Sequence, residues 1–191
     1  MIDIVENEDL IYHINEYDGI IIGTNCYQVM RHGFQYDVSR NYPYVLEANY
    51  NSKYGDINKL GTILECKEDK QPLFILAFIS FGFNFKGGDT EFLDYQALQN
   101  CLRLLNLTHS GSHYAMTFIG STPYDGNGNK DKILKIINST VKSFDLTIYD
   151  YYQTSHNTKN RYERRTKRYN ERCKRVHTTK TKRKSRNIKR A

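Results

Sequence analysis

The sequence predicts an α/β domain built on a largely parallel sheet with helices on both faces. Three observations carry this. Strand-like and helix-like segments alternate along residues 2–151, which is the pattern of a crossover-connected parallel sheet. Two strand candidates, 20–22 and 73–81, are apolar runs of the kind found in buried strands. Two polar, glycine-marked loops, 24–33 and 120–129, each follow a strand and precede a helix. In a parallel sheet both open at the edge where α/β ligands bind.

Residues 2–5 read as the first strand, and the polar turn 7–10 starts a short helix through Ile14. Asp18-Gly19 is a turn before the second strand, 20–23. After the first loop, spaced apolar residues predict a helix over 34–41. Pro43 opens a second helix over 44–50, because proline is tolerated in a first turn. Residues 53–61 are a loop by composition, followed by a short strand at 62–66. The buried strand 73–81 leads into a glycine-containing loop, 82–89. Apolar residues at 95, 97, 98, 101, 102, 104 and 105 make one helical face over 94–105. A strand at 114–119, the second loop, a helix at 132–144 and a last strand at 146–151 complete the domain.

A length of 191 residues suits one such domain with an attachment, divided here as 1–153 and 154–191. Charge marks the division. Residues 159–191 carry 16 Lys and Arg against Glu163 and Glu171, net +14; residues 1–158 carry 12 basic and 19 acidic residues, net −7. The tail has few large apolar residues and is expected to be disordered alone. Arg164, Arg165, Lys167 and Arg168 interleave with Tyr162 and Tyr169, and Lys182, Arg183 and Lys184 follow. Such a segment can neutralise phosphates and stack on bases, so it is read as a DNA or RNA contact without sequence specificity. A localisation signal, or docking on the acidic body, is the alternative.

Cys26, Cys66, Cys101 and Cys173 show no CxxC spacing, so no zinc or redox motif follows, and no cofactor is expected. The acidic start is no signal peptide, and no apolar run is long enough to span a membrane. The expectation is an intracellular protein, cytoplasmic or nuclear.

Several runs resemble the macro domain family, and most closely its ADP-ribose-1''-phosphate phosphatase-like branch, known from phage and viral as well as cellular proteins. Asn25-Cys26-Tyr27-Gln28-Val29-Met30-Arg31-His32-Gly33-Phe34 is similar to the family's first loop. Tyr42-Pro43-Tyr44 and Tyr54-Gly55-Asp56-Ile57-Asn58-Lys59-Leu60-Gly61-Thr62 resemble its most specific run, and Asp94-Tyr95-Gln96-Ala97-Leu98 a helix start. The resemblance implies a three-layer α/β/α domain that binds ADP-ribose or an ADP-ribosylated molecule. Asp9 matches the family's adenine contact, Asn25 its distal-ribose contact, and Tyr151 its closing aromatic, with Tyr149 or Tyr152 as alternatives. The pyrophosphate would lie between Met30, Arg31 and Gly33 on one side and Gly120, Ser121, Gly126 and Gly128 on the other.

The sequence departs from the family at three points. Gln28 and Arg31 stand where the family has glycines. The second loop is longer than usual. The family's loop aspartate has either become Asn129 or moved to Asp125 or Asp131. His32 is a candidate general acid or electrostatic partner at a phosphomonoester, with Asp125 as its carboxylate. The ordinary readings are an exposed loop histidine and a turn aspartate. His109 and His113 are spaced i, i+4, but Ser110-Gly111-Ser112 argues against a helical metal pair. Phe81, Phe83 and Phe85 alternate as strand or rim residues do. Three functions follow: an ADP-ribose-binding hydrolase, a non-catalytic ADP-ribose reader, or a nucleic-acid-binding protein on an inactive scaffold.

Overall fold

The computed structural model describes residues 1–83, 90–122 and 125–151. Phe85, Tyr152 and the tail residues 154–191, including Arg164, Arg165, Lys167, Arg168, Lys182, Arg183 and Lys184, lie outside the described residues.

The described fold contains strands β1 (Ile2–Glu6), β2 (Gly19–Asn25), β3 (Ile63–Cys66), β4 (Phe74–Ser80), β5 (His113–Thr117) and β6 (Asp145–Asp150). Its helices are α1 (Gly33–Asn41), α2 (Pro43–Asn51), α3 (Tyr95–Thr108) and α4 (Lys130–Thr140). One six-stranded sheet runs in the order β1-β6-β5-β2-β4-β3. All pairs are parallel except β3–β4. The link 67–73 explains the exception: a parallel crossover needs about a dozen residues or more, and this link is shorter.

Alternation along the strands splits the core into two layers. Ile21, Ile75, Met116 and Ile148 face α3 and α4, where Leu98, Leu102, Ile133 and Ile137 pack on them. Ile20, Ile22, Phe74 and Leu76 face the other side and meet Val38 of α1 and Val45 of α2. β2 and β4 are buried along their whole length, as a strand sandwiched between helices must be. The predicted α/β/α layering and mostly parallel sheet are therefore present.

Local chemistry corrects several expected boundaries. Residues 7–14 do not form one helix; Leu10–Tyr12 and Ile14–Glu16 are two short 3-10 turns, the first capped by Asp9. α3 starts where Asp94 accepts the Ala97 N–H at 2.9 Å. α4 starts earlier than expected, because Asn129 caps it by accepting the Lys132 N–H at 2.9 Å, and it ends at Thr140. β5 stops at Thr117, since Ser121 bonds back to the Phe118 carbonyl through both its N–H and its hydroxyl.

His109 and His113 part company at the amino edge of the parallel strands. His109 joins Glu65 (3.1 Å) and the Tyr114 hydroxyl (2.7 Å), while His113 joins the Thr147 hydroxyl at 2.9 Å. Among the described residues no cluster of His, Cys, Asp and Glu could hold a metal ion. No helix there is long and apolar enough to cross a membrane.

Candidate functional site

The parallel strands β1, β6, β5, β2 and β4 all point their carboxyl ends at one edge, and the connections leaving that edge carry nearly every candidate residue. Asp9 follows β1, Tyr151 follows β6, the second loop follows β5, and Asn25 ends β2.

The first loop is closed by its own polar side chains. Between Thr24 and Asn25 the β2–β4 register shifts by a residue, which re-aims the strand end. Asn25 then folds the chain on itself: its Oδ1 accepts from the N–H groups of Tyr27 (3.0 Å) and Val29 (3.2 Å), and its Nδ2 donates to the Val29 carbonyl at 2.9 Å. Gln28 takes φ +62°, the left-handed conformation usually left to glycine. Its side chain does not fill the site. It turns back and donates to the carbonyls of Tyr50 (3.1 Å) and Ser52 at the end of α2. Met30 points into the core rather than outward. Arg31 is exposed, and His32 is the residue before α1. Gly33 has φ +56°, and a Cβ placed on it would meet nothing within 4 Å. The start of α1 is therefore open on the side of Gly33, where the positive end of a helix favours an anion, while Gln35 in the same turn is buried.

The second loop is built differently. Asp125 Oδ2 accepts the Gly120 N–H at 2.8 Å, and the Gly128 N–H donates to the Gly120 carbonyl at 2.7 Å. A Cβ on Gly126 would lie 2.9 Å from the Gly120 oxygen, and one on Gly128 would lie 2.4 Å from a Leu93 methyl. These glycines are demanded by the loop's packing on itself and on Leu93. The resemblance to the macro domain family sets them beside a pyrophosphate, but packing alone accounts for them. Of the three candidate positions for the loop aspartate, Asn129 is committed to capping α4 and Asp131 is exposed in its first turn, which leaves Asp125 as the acid within the loop.

On the remaining side, Asp9 Oδ1 accepts the Ile11 N–H at 3.3 Å. Tyr149 is 3% exposed, hydrogen-bonded to the Tyr17 hydroxyl (2.8 Å) and stacked on His13, so it is core. Tyr151 is 37% exposed just past the end of β6, so of these two tyrosines it is the one with surface left for a ligand. A bridge from Lys130 Nζ to Asp150 Oδ1 (2.5 Å) ties the start of α4 to the end of β6.

Electrostatics separate the candidate catalytic groups. Burial, helped by the Arg31 charge, lowers the His32 pKa, so His32 is neutral near pH 7 and suits a base rather than an acid. Burial raises the Asp125 carboxyl to about 7 against the lowering effect of the Gly120 N–H, so it can hold or release a proton near neutrality. Lys59 is a site-edge residue that sequence reasoning passed over. Its buried ammonium donates to Ser52 Oγ at 3.0 Å and lies 4.9 Å over the Phe78 ring. Burial lowers its pKa, with Cys26 and Asp56 opposing. The only signal in the sequence was its place in the Lys59-Leu60-Gly61-Thr62 run, read as a motif rather than as a buried cation.

No family model and no curated protein matches the sequence. Among solved structures, the chain is similar to a Bacteroides thetaiotaomicron protein of unknown function, with TM-score 0.62, 20% identity, and 78% of this chain and 98% of that one covered. It is similar to the macrodomain of Mycobacterium tuberculosis DarG, with TM-score 0.57, 15% identity, and coverage of 78% and 97%. It is also similar to Thermosipho africanus DarTG in complex with ADP-ribose, with TM-score 0.53, 13% identity, and coverage of 77% and 41%. Residues 1–151 thus adopt the macrodomain fold.

Proposed function

We propose that residues 1–151 bind ADP-ribose, free or attached to another molecule, across the carboxyl edge of the sheet. The observation that carries this is the open start of α1 at Gly33, set beside a second loop that leaves the neighbouring strand β5. A diphosphate is the anion such a pair of loops fits. Asp9 and Tyr151, at the ends of the adjacent strands β1 and β6, serve the adenine end, and the structurally similar Thermosipho africanus DarTG was solved in complex with ADP-ribose. Calorimetry with ADP-ribose tests the reading. Saturable binding that weakens by about 1–3 kcal/mol in Asp9→Ala supports it. An absence of saturation at millimolar ligand overturns it.

Hydrolysis is a second reading, favoured by the Asp125 carboxyl poised near neutral pH and the neutral His32. With ADP-ribose-1''-phosphate as substrate, His32→Ala should then lower turnover by about 100-fold or more. Unchanged turnover would remove His32 from the mechanism, and a wild-type protein without turnover would leave the non-catalytic reader. The tail adds a nucleic-acid contact through its net +14. Affinity of the full chain for an oligonucleotide should fall by decades between about 50 and 200 mM salt. Equal affinity for the full chain and for residues 1–158 would remove that role.

A further inference from the structure

Beneath the first loop, buried polar side chains from three segments gather around one ring. Thr24 of β2 and Phe78 of β4 are register partners, so they sit side by side at about one strand spacing, ~4.8 Å, on the same face of the sheet. That face is the one covered by α1 and α2: Ile20 and Ile22 precede Thr24 at two-residue intervals, and Phe74 and Leu76 precede Phe78. The Lys59 ammonium lies 4.9 Å over the Phe78 ring and donates to Ser52 Oγ at 3.0 Å. Ser52 Oγ donates in turn to the Asn49 carbonyl at 2.6 Å. Asn49 lies one turn after Val45 on the buried side of α2. Strand register, ring contact and hydrogen bonds thus fix Thr24, Lys59 and Asn49 around Phe78.

These polar groups are deeply buried and only partly satisfied. Thr24 is 3% exposed and Asn49 0% exposed. Among the described residues, Thr24 Oγ1, Asn49 Oδ1 and Asn49 Nδ2 have no hydrogen-bond partner. An ammonium has three hydrogens to donate, and Ser52 Oγ takes one of those of Lys59. Buried polar groups in folded proteins are paired almost without exception, with protein or with ordered water. Burial also works against the charge on Lys59, and further bonds to oxygen are what sustain a buried ammonium.

We infer that an internal hydration site lies here, in which water bridges the Lys59 ammonium, the Thr24 hydroxyl and the Asn49 side-chain amide. The donor and acceptor set selects water. Lys59 can only donate, Thr24 can do both, and Asn49 offers two donors and an acceptor, so the occupant must accept and donate. A metal cation would meet the ammonium charge, and an anion would leave Asn49 Oδ1 unpaired. Three polar partners is also the usual number for a buried water. Two bonds of about 2.8 Å let one water span roughly 5 Å, so about one or two molecules suffice. Thr24 is the last residue before the register shift that aims Asn25. Water on its hydroxyl ties the end of β2 to α2 and to the turn at Ile57–Lys59, and so supports the first loop from below. The site stands whether or not the protein binds ADP-ribose.

Oxygen-17 relaxation dispersion on the full chain counts long-lived internal waters free of proton exchange. Thr24→Val keeps the side-chain shape and removes the hydroxyl; Asn49→Leu removes the amide. Each variant should hold at least one long-lived water fewer than wild type. In the wild-type protein, the Asn49 side-chain amide hydrogens should show nuclear and rotating-frame Overhauser peaks to water of opposite sign, the mark of a water that tumbles with the protein. This second measurement needs no variant, so it decides the matter even if Asn49→Leu fails to fold. Three results overturn the assignment: equal water counts in wild type and folded Thr24→Val, no water peak at the Asn49 amide, and a wild-type melting temperature that rises with chloride at constant ionic strength but no longer does so in Thr24→Val. The last would make the occupant an anion.

Discussion

Replacing Gln28 by glycine and by alanine should reverse the usual ranking of those two residues. At an ordinary position alanine is the more stable, because it leaves the unfolded chain less freedom. Gln28 sits at φ +62°, where a Cβ costs roughly 1 kcal/mol or more. Both substitutions also remove the side-chain amide that holds the Tyr50 and Ser52 carbonyls. Two such bonds contribute about 2 kcal/mol net. Gln28→Ala loses them and keeps the strain, so it should cost about 2 kcal/mol. Gln28→Gly loses them and sheds the strain, so it should cost about 1 kcal/mol. Urea denaturation followed by circular dichroism would read the difference, which corresponds to roughly 3 °C in melting temperature for a domain of this size. Alanine as stable as glycine would mean that the left-handed backbone is not what the position demands. A glycine variant more stable than wild type would mean that the anchor to α2 contributes nothing.

Further outcomes are expected at three other places. A carboxyl raised to about 7 on folding binds its proton more tightly in the folded state, so Asp125 favours folding below its unfolded pKa and stability drains away as pH rises through about 4 to 7. Asp125→Asn keeps an acceptor for the Gly120 N–H without that titration; the urea midpoint of the variant should fall less than that of wild type from pH 5 to pH 8, and parallel curves would contradict the assigned shift. Asn106 Oδ1 accepts from the N–H groups of Lys142 (2.9 Å) and Ser143 (3.1 Å), and its Nδ2 donates to the Thr140 carbonyl at 2.6 Å. Asn106→Ala should cost about 2–3 kcal/mol in denaturant titration by freeing the end of α4, and a loss under about 0.5 kcal/mol would show that water replaces the bonds. Lys130→Ala breaks the bridge to Asp150 and should weaken ADP-ribose binding by about 1 kcal/mol or less, since the pair is partly exposed; a loss beyond about tenfold in calorimetry would give Lys130 a direct part in the site.

The sheet was legible wherever burial writes a continuous apolar run. β2 and β4 stand out in the sequence because both their faces are covered, and α3 because Ala97, Leu98, Cys101, Leu102 and Leu105 share one buried stripe. The direction of β3 was not read from its composition, since four residues look alike run either way; the short link to β4 held that information. The site was legible as two loops and opaque in its details. Glycines at 120, 126 and 128 look in sequence like those of a phosphate cradle, and only the contacts with Leu93 and the Gly120 oxygen reveal their packing role. Gln28 looks like a lost glycine, yet it keeps the left-handed backbone and finds partners 22 and 24 residues away, which no local pattern announces. Likewise, choosing Tyr151 over Tyr149 required knowing that Tyr17 and His13 enclose the latter.

The pairing of β1 with β6 sets an order of events when the chain is made. β1 is translated first, but its partner in the sheet, β6, comes about 140 residues later. At roughly 5–20 residues per second, that is a wait of about 7 to 28 seconds. Throughout it Ile2, Ile4 and Val5 lack their native partner, and the edge that β5 presents until β6 docks is the wrong one for them. Asp3 and Glu6 in the same strand keep the waiting segment charged, a feature that discourages strands from pairing with the wrong neighbour. The last strand thus acts as the checkpoint of the fold: the sheet is completed, and Asp9 and Tyr151 come to the same edge, only when residues 145–150 arrive.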